Sequence, residues 1–576
     1  MDELFDVVIV GTGISGAIVA KELGRAGKKV LLLDAGEAIP DRRSELMERF
    51  YLDTNKYPES PYGRNPNAPS ASVSDLFEAD YSKKYLDQPL DMNKRFGSTY
   101  ERRAGGTMWH WMGTCLRLLP NDFKLKTLYG RGVDWPISYD DLGLKQRRDN
   151  LSYYDLAEQE IGVSANVGDQ QYGPDAAPFR DKYAYPNPAI ALSRVDQFFT
   201  RAVDGFVFDG QPVKVVPTPA GRNSRPYDNR RACAGNTNCV PICPIEAKYD
   251  PTVTLHKAFN TGNVSALFQH IATKVITDQE TGKVTGIEFL RYGDSKKTSP
   301  DGRGVVRGRT YVLAANAIET PKLLLMSGFQ NANIGRNLMD HPFYVKWGLT
   351  PSAIYPYRGP LSTAGLDNIR DGAFRNKRSA FRIEIGNDGW LLPISDPRTT
   401  LLDFIEGTNN SQTNIEKVKL FGRRLIEHLN SIYTRQCRIG FELEQLPLPS
   451  NRVTLSSLTD SLGLPRPKIE FSYSQYEADG LLAADRFTDE LFSRAGIEDK
   501  TGFKLLMGAG HIMGTHRMGT DPVNSVVNHE QRCWDFHNLF LIGSGVFPSG
   551  GTANPSLTIA ALAFWAADTI LSDLSN

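Results

Sequence analysis

Apolar and polar positions change period twice near the start of the chain. "VVIV" (7–10) is an unbroken β-branched run, the pattern of a strand buried on both faces. After "GTGISG" (11–16), Ile18, Val19, Leu23 and Ala26 recur at helical spacing, and "KKVLLLD" (28–34) predicts a second strand ending in Asp34. Residues 5–34 therefore read strand, turn, helix, strand. At the far end, "SLTIAALAFWAADTIL" (556–571) is apolar almost throughout but carries Asp568 and falls short of the roughly 18 residues a membrane span needs, so it predicts a buried helix. Residues 140–160 predict a helix with "KQRRD" on a solvated face. "RPKIEFSYSQYEADG" (466–480) predicts a strand and then a helix, and "PYGRNPNAPSASVSD" (61–75) a loop or partner contact.

The turn between the first strand and helix carries chemistry. Gly11 permits a tight turn, Gly13 lets the backbone approach a pyrophosphate, and Gly16 lets helix and strand pack closely. Ile14 and Ser15 stand where the helix N-terminus offers free N–H groups to phosphate. Asp34, at the end of the second strand, is placed to accept hydrogen bonds from ribose hydroxyls. The unit predicts a dinucleotide site without separating FAD from NAD.

Composition narrows the class. In 576 residues, 66 basic side chains balance 66 acidic ones, which gives no electrostatic footprint for nucleic acid or an anionic membrane. The length suits roughly two to four domain-sized units. The acidic "MDELFD" that precedes the apolar run argues against an export signal.

Three of the six cysteines cluster as Cys233, Cys239 and Cys243, the last followed by Pro244. The spacing does not fit a zinc finger, and a disulfide would leave one thiol over. Iron–sulfur ligation and buried thiols both remain open. Cys115, Cys437 and Cys533 are isolated and read as packing residues. Among the histidines, His511 in "GAGHIMGTH" is flanked by small residues, a setting suited to a general base. His341 in "DHP" reads as a turn-fixing residue. His529 and His537 read as solvent-facing, and His256, His270 and His428 lie in no motif.

"VIVGTGISGAIVAKEL", "RAGGTMWHWMG" (103–113), "YVLAANAIETPKLLLMSG" (311–328), "GRNLMDHP" (335–342) and the C-terminal "NLFLIGSGVFPSGGTANPSLTIAALA" (538–563) occur in the order found in glucose–methanol–choline (GMC) oxidoreductases, which the chain resembles over essentially its whole length. The nearest likeness is to the FAD subunit of bacterial glucose, gluconate and fructose dehydrogenases, through "NSRPYDNRRAC" and "CVPICPIEA". The C-terminal motifs also look like those of pyranose oxidases.

The resemblance implies an α/β fold, a Rossmann-like FAD domain interleaved with an α+β substrate domain. The FAD domain would comprise residues 1–135, 215–342 (with the cysteine loop) and 505–576, and the substrate domain 136–214 and 343–504. It implies His511 as catalytic base and Asn554 as its partner across the substrate C–OH, with His516 supporting them. Gly105, Gly106 and Thr107 would run along the flavin, and Ala315, Gly545 and Pro555 would join the cofactor contacts. His110 stands where pyranose oxidases attach flavin covalently; a covalent link and a ring stacked beside the flavin both stay open. Cys233, Cys239 and Cys243 match the ligands of a 3Fe–4S cluster, with Ala234 where some relatives carry a further cysteine. The expected activity is an FAD-dependent dehydrogenase of an aldose, polyol, sugar acid or glycoside, passing electrons through the cluster to a cytochrome or other acceptor. A pyranose-oxidase-like enzyme, a glycoside 3-dehydrogenase and an electron-carrying subunit are the alternatives. Expected partners are a sugar-type substrate, a small subunit bearing an export signal and a cytochrome c subunit. The expected location is the periplasmic face, held there by those partners, with the cytoplasm as the alternative.

Overall fold

A computed structural model describes residues 4–39, 45, 85–89, 91, 94–98, 100–171, 177–240, 242–293, 300–389, 419–502 and 507–575. The stretch 61–75 lies outside them.

The first sheet grows from the predicted N-terminal unit. Strand Leu4–Val10 pairs in parallel with Val30–Leu33 and with the end of Gly302–Leu313, and helix Ile14–Arg25 crosses between the first two. Val264–Leu267 and Leu539–Leu541 extend the parallel part, and His270–Asp278 and Lys283–Arg291 add antiparallel strands at one edge. Val7, Val8 and Ile9 are fully buried, as a strand covered on both faces requires. The C-terminal helix Ser556–Asp573 packs against Ile14–Arg25, and most of its apolar residues are buried, as its pattern predicted.

The second sheet is antiparallel: Glu498–Gly502, Pro342–Leu349, Gln436–Leu443, Phe381–Gly386, Ser362–Gly365 and Val216–Pro217 in that order, with Met507–Gly508 also on Pro342–Leu349. A second apolar core, with Ile383, Ile385, Ile439 and Phe441, separates it from helix Gln475–Arg494. That helix and strand Pro465–Glu470 fall where the pattern 466–480 placed them.

Two expectations need correction. The helix expected over 140–160 is two helices, Tyr139–Gly143 and Tyr153–Ile161, broken by a turn in which Asp149 and Asn150 take positive φ. Arg148 is not simply solvated: it bridges Glu22 and Asp568, joining the turn to both core helices. Second, the segment 136–214, expected whole in the substrate domain, is divided. Tyr153, Tyr154, Ala157 and Ile161 belong to the first core, where Glu160 pairs with buried Lys21, whereas Val195, Phe199 and Val203 belong to the second. Cys115 and Cys533 pack in the first core and Cys437 in the second, as isolated thiols should.

Candidate active site

Two joined clefts run along the C-terminal ends of the parallel strands. The narrower is lined by Gly11, Gly13, Asp34, Gly106, Ala315 and His270. Gly11 has φ +103°, and a Cβ there would fall 2.5 Å from the Ala314 carbonyl oxygen, so no other residue fits the turn. A Cβ at Gly16 would strike the Gly11 carbonyl at 2.1 Å, the close helix–strand packing expected of it, whereas the space above Gly13 is open. Asp34 Oδ2 accepts the Thr12 N–H and hydroxyl and its Oδ1 accepts the Gly36 N–H, which fixes the carboxylate at the cleft wall.

Gly13, Thr107, Ala314 and Asn316 also border a wider cavity of about 430 Å³. Single small-molecule sites span roughly 300–1,000 Å³, so the cavity has the size of one such site and adjoins the narrower cleft. Ile14, Ser15, Gly105, His110, Asn554 and Pro555 line it, with His511. His110 Nε2 lies 3.4 Å from Glu101 Oε1. Gly545 does not take the expected place. It turns inward onto His516, whose ring a Cβ would meet at 1.8 Å, and the lining there is Gly543 and Ser544. His516 is therefore a fully buried packing residue beneath this loop, its pKa pushed down to about 3 by burial.

At the cavity floor the hydrogen bonds assign the protons. Asp340 Oδ1 accepts the backbone N–H of both His341 and His511, bringing two distant segments together. His341 Nε2 is 3.0 Å from the Gly551 carbonyl oxygen, which can only accept, so Nε2 carries the proton and Nδ1 has the lone pair. His511 Nδ1, 2.8 Å from His341 Nδ1, must then donate. The remaining nitrogen, His511 Nε2, holds a lone pair and accepts from Asn554 Nδ2 at 3.1 Å; the same amide also donates to Glu442 Oε1 at 3.3 Å. Burial first, then His341 and Arg382, hold the His511 pKa well below the ordinary histidine range. His511 is thus a neutral imidazole with its lone pair fixed at Nε2, the state a general base requires. His341, expected to fix a turn, belongs to the site: Asp340 pins the turn, and His341 sets the tautomer of His511.

The cysteine loop abuts the same cavity through Val240. Each thiol sulfur meets a nitrogen donor: Gly235 N on Cys233 at 3.4 Å, Arg222 Nη1 on Cys239 at 3.1 Å and Lys248 N on Cys243 at 3.5 Å. Lys248 is buried and donates from Nζ to the carbonyls of Cys239, Trp109 and Trp111, tying the loop to the backbone on either side of His110. Burial pushes the Cys239 thiol up, but the Arg222 guanidinium and Lys248 outweigh it and hold the thiol below its ordinary range. Two buried cations facing three sulfurs fit an anionic, thiolate-held group. Neither Arg222 nor Lys248 was visible as functional in the sequence.

The wall opposite the first sheet is the polar face of the second. Glu384, Arg438 and Glu442 line the cavity from it. These too were missed. The signal lay in "FRIEIG" (381–386) and "CRIGFEL" (437–443), where charged residues alternate with apolar ones in strands.

Glycine-cradled first strand, open nucleotide cleft and histidine–asparagine pair together define a GMC oxidoreductase, and the chain belongs to that family. Residues 218–343 and 447–563 match its two sequence models, both described as GMC oxidoreductase. It is 33% identical to the fructose dehydrogenase large subunit of Gluconobacter japonicus over 99% of this chain and 98% of that one, and 27% identical to the 2-methyl-1,2-propanediol dehydrogenase of Mycolicibacterium austroafricanum over 99% and 96%. The solved pyridoxine 4-oxidase from Mesorbium loti shares the fold, with a TM-score of 0.61 over 98% of this chain and 99% of that one at 17% identity. The protein is an FAD-dependent oxidoreductase acting on CH–OH groups, and the FAD the family implies fits the glycine turn and the joined clefts.

Proposed function

We propose that the chain is a sugar or polyol dehydrogenase subunit in which His511 removes the hydroxyl proton of the substrate and a protein, not oxygen, takes the electrons. The observation that carries this reading is that the fixed lone pair of His511 and the cysteine loop border one cavity. Asn554 Nδ2, already directed at His511 Nε2, can hold the substrate oxygen beside the base as its proton leaves. Gly105, Thr107 and His110 would hold FAD beside that carbon, where it would supply a two-electron acceptor for the hydride.

Cys233, Cys239 and Cys243 are proposed to hold a 3Fe–4S cluster, which supplies a one-electron centre. Arg222, Lys248 and the Gly235 N–H would balance its charge and hydrogen-bond its sulfurs. A one-electron centre this close to the cavity serves an enzyme whose acceptor is another protein; a cytochrome c subunit fits that need. A small subunit carrying an export signal would bring the folded complex to the periplasmic face. No helix among the described residues is long and apolar enough to cross a membrane.

Anaerobic mixing with sugars and polyols tests the first part: bleaching of the flavin absorbance supports it, and an oxidised flavin with every alcohol tried refutes it. Cys239→Ser tests the second. It should abolish iron and sulfide content while substrate still bleaches the flavin, and transfer to cytochrome should stop. Purified holoprotein free of iron would refute the cluster.

A further inference from the structure

The cavity face of the second sheet is built for charge and is almost closed to water. In Phe381–Gly386 and Gln436–Leu443, alternate residues point into the second core; Arg382, Glu384, Arg438 and Glu442 take the other face and are all buried. The register sets Arg382 opposite Glu442, and Arg382 Nη1 lies 3.1 Å from Glu442 Oε1. Arg382 Nε also pairs with Asp367 at 3.2 Å, while Arg438 pairs with Asp388 and Glu384, each at 2.8 Å.

Two guanidiniums therefore face four carboxylates. Burial pushes Asp367 up and raises Asp388 to about 6. Arg370 adds to the field on Asp367 and Arg222 to that on Glu384 from neighbouring segments. Arg438, the arginine that lines the cavity, is already paired with Asp388 and Glu384, so an arriving anion would compete with two carboxylates for it.

The wall does have unmet hydrogen-bonding capacity. Glu442 Oε2, Arg438 Nη1 and Asn554 Oδ1 are buried without a hydrogen-bond partner, and all three residues line the cavity. Buried polar atoms are seldom left so. A carboxylate acceptor and a guanidinium donor side by side match neighbouring hydroxyls, one donating and one accepting. They are also close to the reacting centre: the ligand atoms of Glu442, His341 and His511 lie within 4.8 Å of one another.

We infer that Glu442 and Arg438 grip the hydroxyls next to the one being oxidised, and that the wall selects uncharged polyols and rejects sugar acids. This rests on the reading of the cavity as an alcohol-oxidising site. A substrate carboxylate beside Glu442 would be a like charge in a poorly solvated place, and the Arg438 guanidinium beside it already answers Asp388 and Glu384.

The test is anaerobic flavin reduction in the holoprotein with fructose, glucose and sorbitol against gluconate at matched concentrations, in wild type and in Glu442→Gln. Wild type should prefer the best neutral compound over gluconate by about 100-fold in kcat/KM, the scale of a hydrogen bond to a charged group together with an uncompensated charge. Glu442→Gln keeps the shape and removes the charge. It should raise KM for the neutral polyol and shrink the preference by about tenfold; a merely structural role would slow both classes alike and leave the ratio in place. Should that variant fail to fold, Glu384→Gln tests the same charge from the neighbouring strand, with the same shrinkage expected. Gluconate turned over as fast as the neutral compounds, or an unchanged ratio in the folded variant, overturns the inference and leaves the oxidoreductase reading intact. Reduction by neither class removes both.

Discussion

The two walls of the central cavity are made from different materials. The first-sheet wall is mostly backbone: Gly11, Gly13, Gly105 and Gly106 expose main chain toward a cofactor, and its specificity lies in what has been left out. The second-sheet wall is mostly side chain, with Arg382, Glu384, Arg438 and Glu442 locked in mutual ion pairs on a buried face. The contrast teaches where change is tolerated. The backbone wall can recognise one invariant group and has little room to vary. The side-chain wall can be rewritten residue by residue, provided each buried charge keeps a partner.

Breaking the first wall should have the largest effect. Gly11→Val places a branched side chain where even Cβ is 2.5 Å from a carbonyl oxygen. The purified protein should lack flavin absorbance altogether, whereas Glu384→Gln on the second wall should retain it. Loss of flavin in Glu384→Gln would erase the distinction between the walls.

Between the walls stands the proposed base. His511→Ala should bind FAD normally and slow flavin reduction about 10²–10⁴-fold, the usual worth of a general base. Asn554→Ala should also slow it, and the double variant should lose less than the product of the two, because both groups hold one hydroxyl. Stopped-flow reduction rates check both, and undiminished rates in His511→Ala would remove the assignment.

His341→Ala should have a smaller effect, roughly 10–10²-fold, as for a residue that orients another. Its signature is in pH. A base works when deprotonated, and the His511 pKa is held below its ordinary value. The wild-type reduction rate should therefore stay flat on acidification past about 6.5, the ordinary histidine pKa. His341 is one cause of that depression, so in His341→Ala the acid limb should move up toward 6.5. His341→Gln can accept from His511 Nδ1 and donate to Gly551, and should restore much of the rate. An acid limb that stays in place in His341→Ala would show that His341 only fills space.

What could be read beforehand follows the same division. The nucleotide unit was legible because its determinants are local: a β-branched run, three glycines at fixed offsets and an acidic residue within 30 positions dictate one strand–turn–helix–strand geometry through steric exclusion. The C-terminal helix was legible for a similar reason, from an apolar run, whereas His511 stood out chiefly through the family resemblance of its motif. The break at Asp149 and Asn150 was not, because a left-handed turn at non-glycine residues leaves little trace in hydrophobic period.

By itself, then, the sequence determined the cofactor cradle, the candidate base and the thiol triplet. Only tertiary structure decided what surrounds them. His341 and His511 are 170 positions apart and meet because Asp340 ties both backbones. Lys248 reaches past its own loop to the carbonyls of Trp109 and Trp111. Arg382 faces Glu442 because two strands pair in one register and not in the next, where every side chain would turn to the opposite face. Local sterics act within a few bonds and are written in neighbouring letters; a tautomer, an ion pair and a substrate wall come from groups that only the folded chain brings into contact.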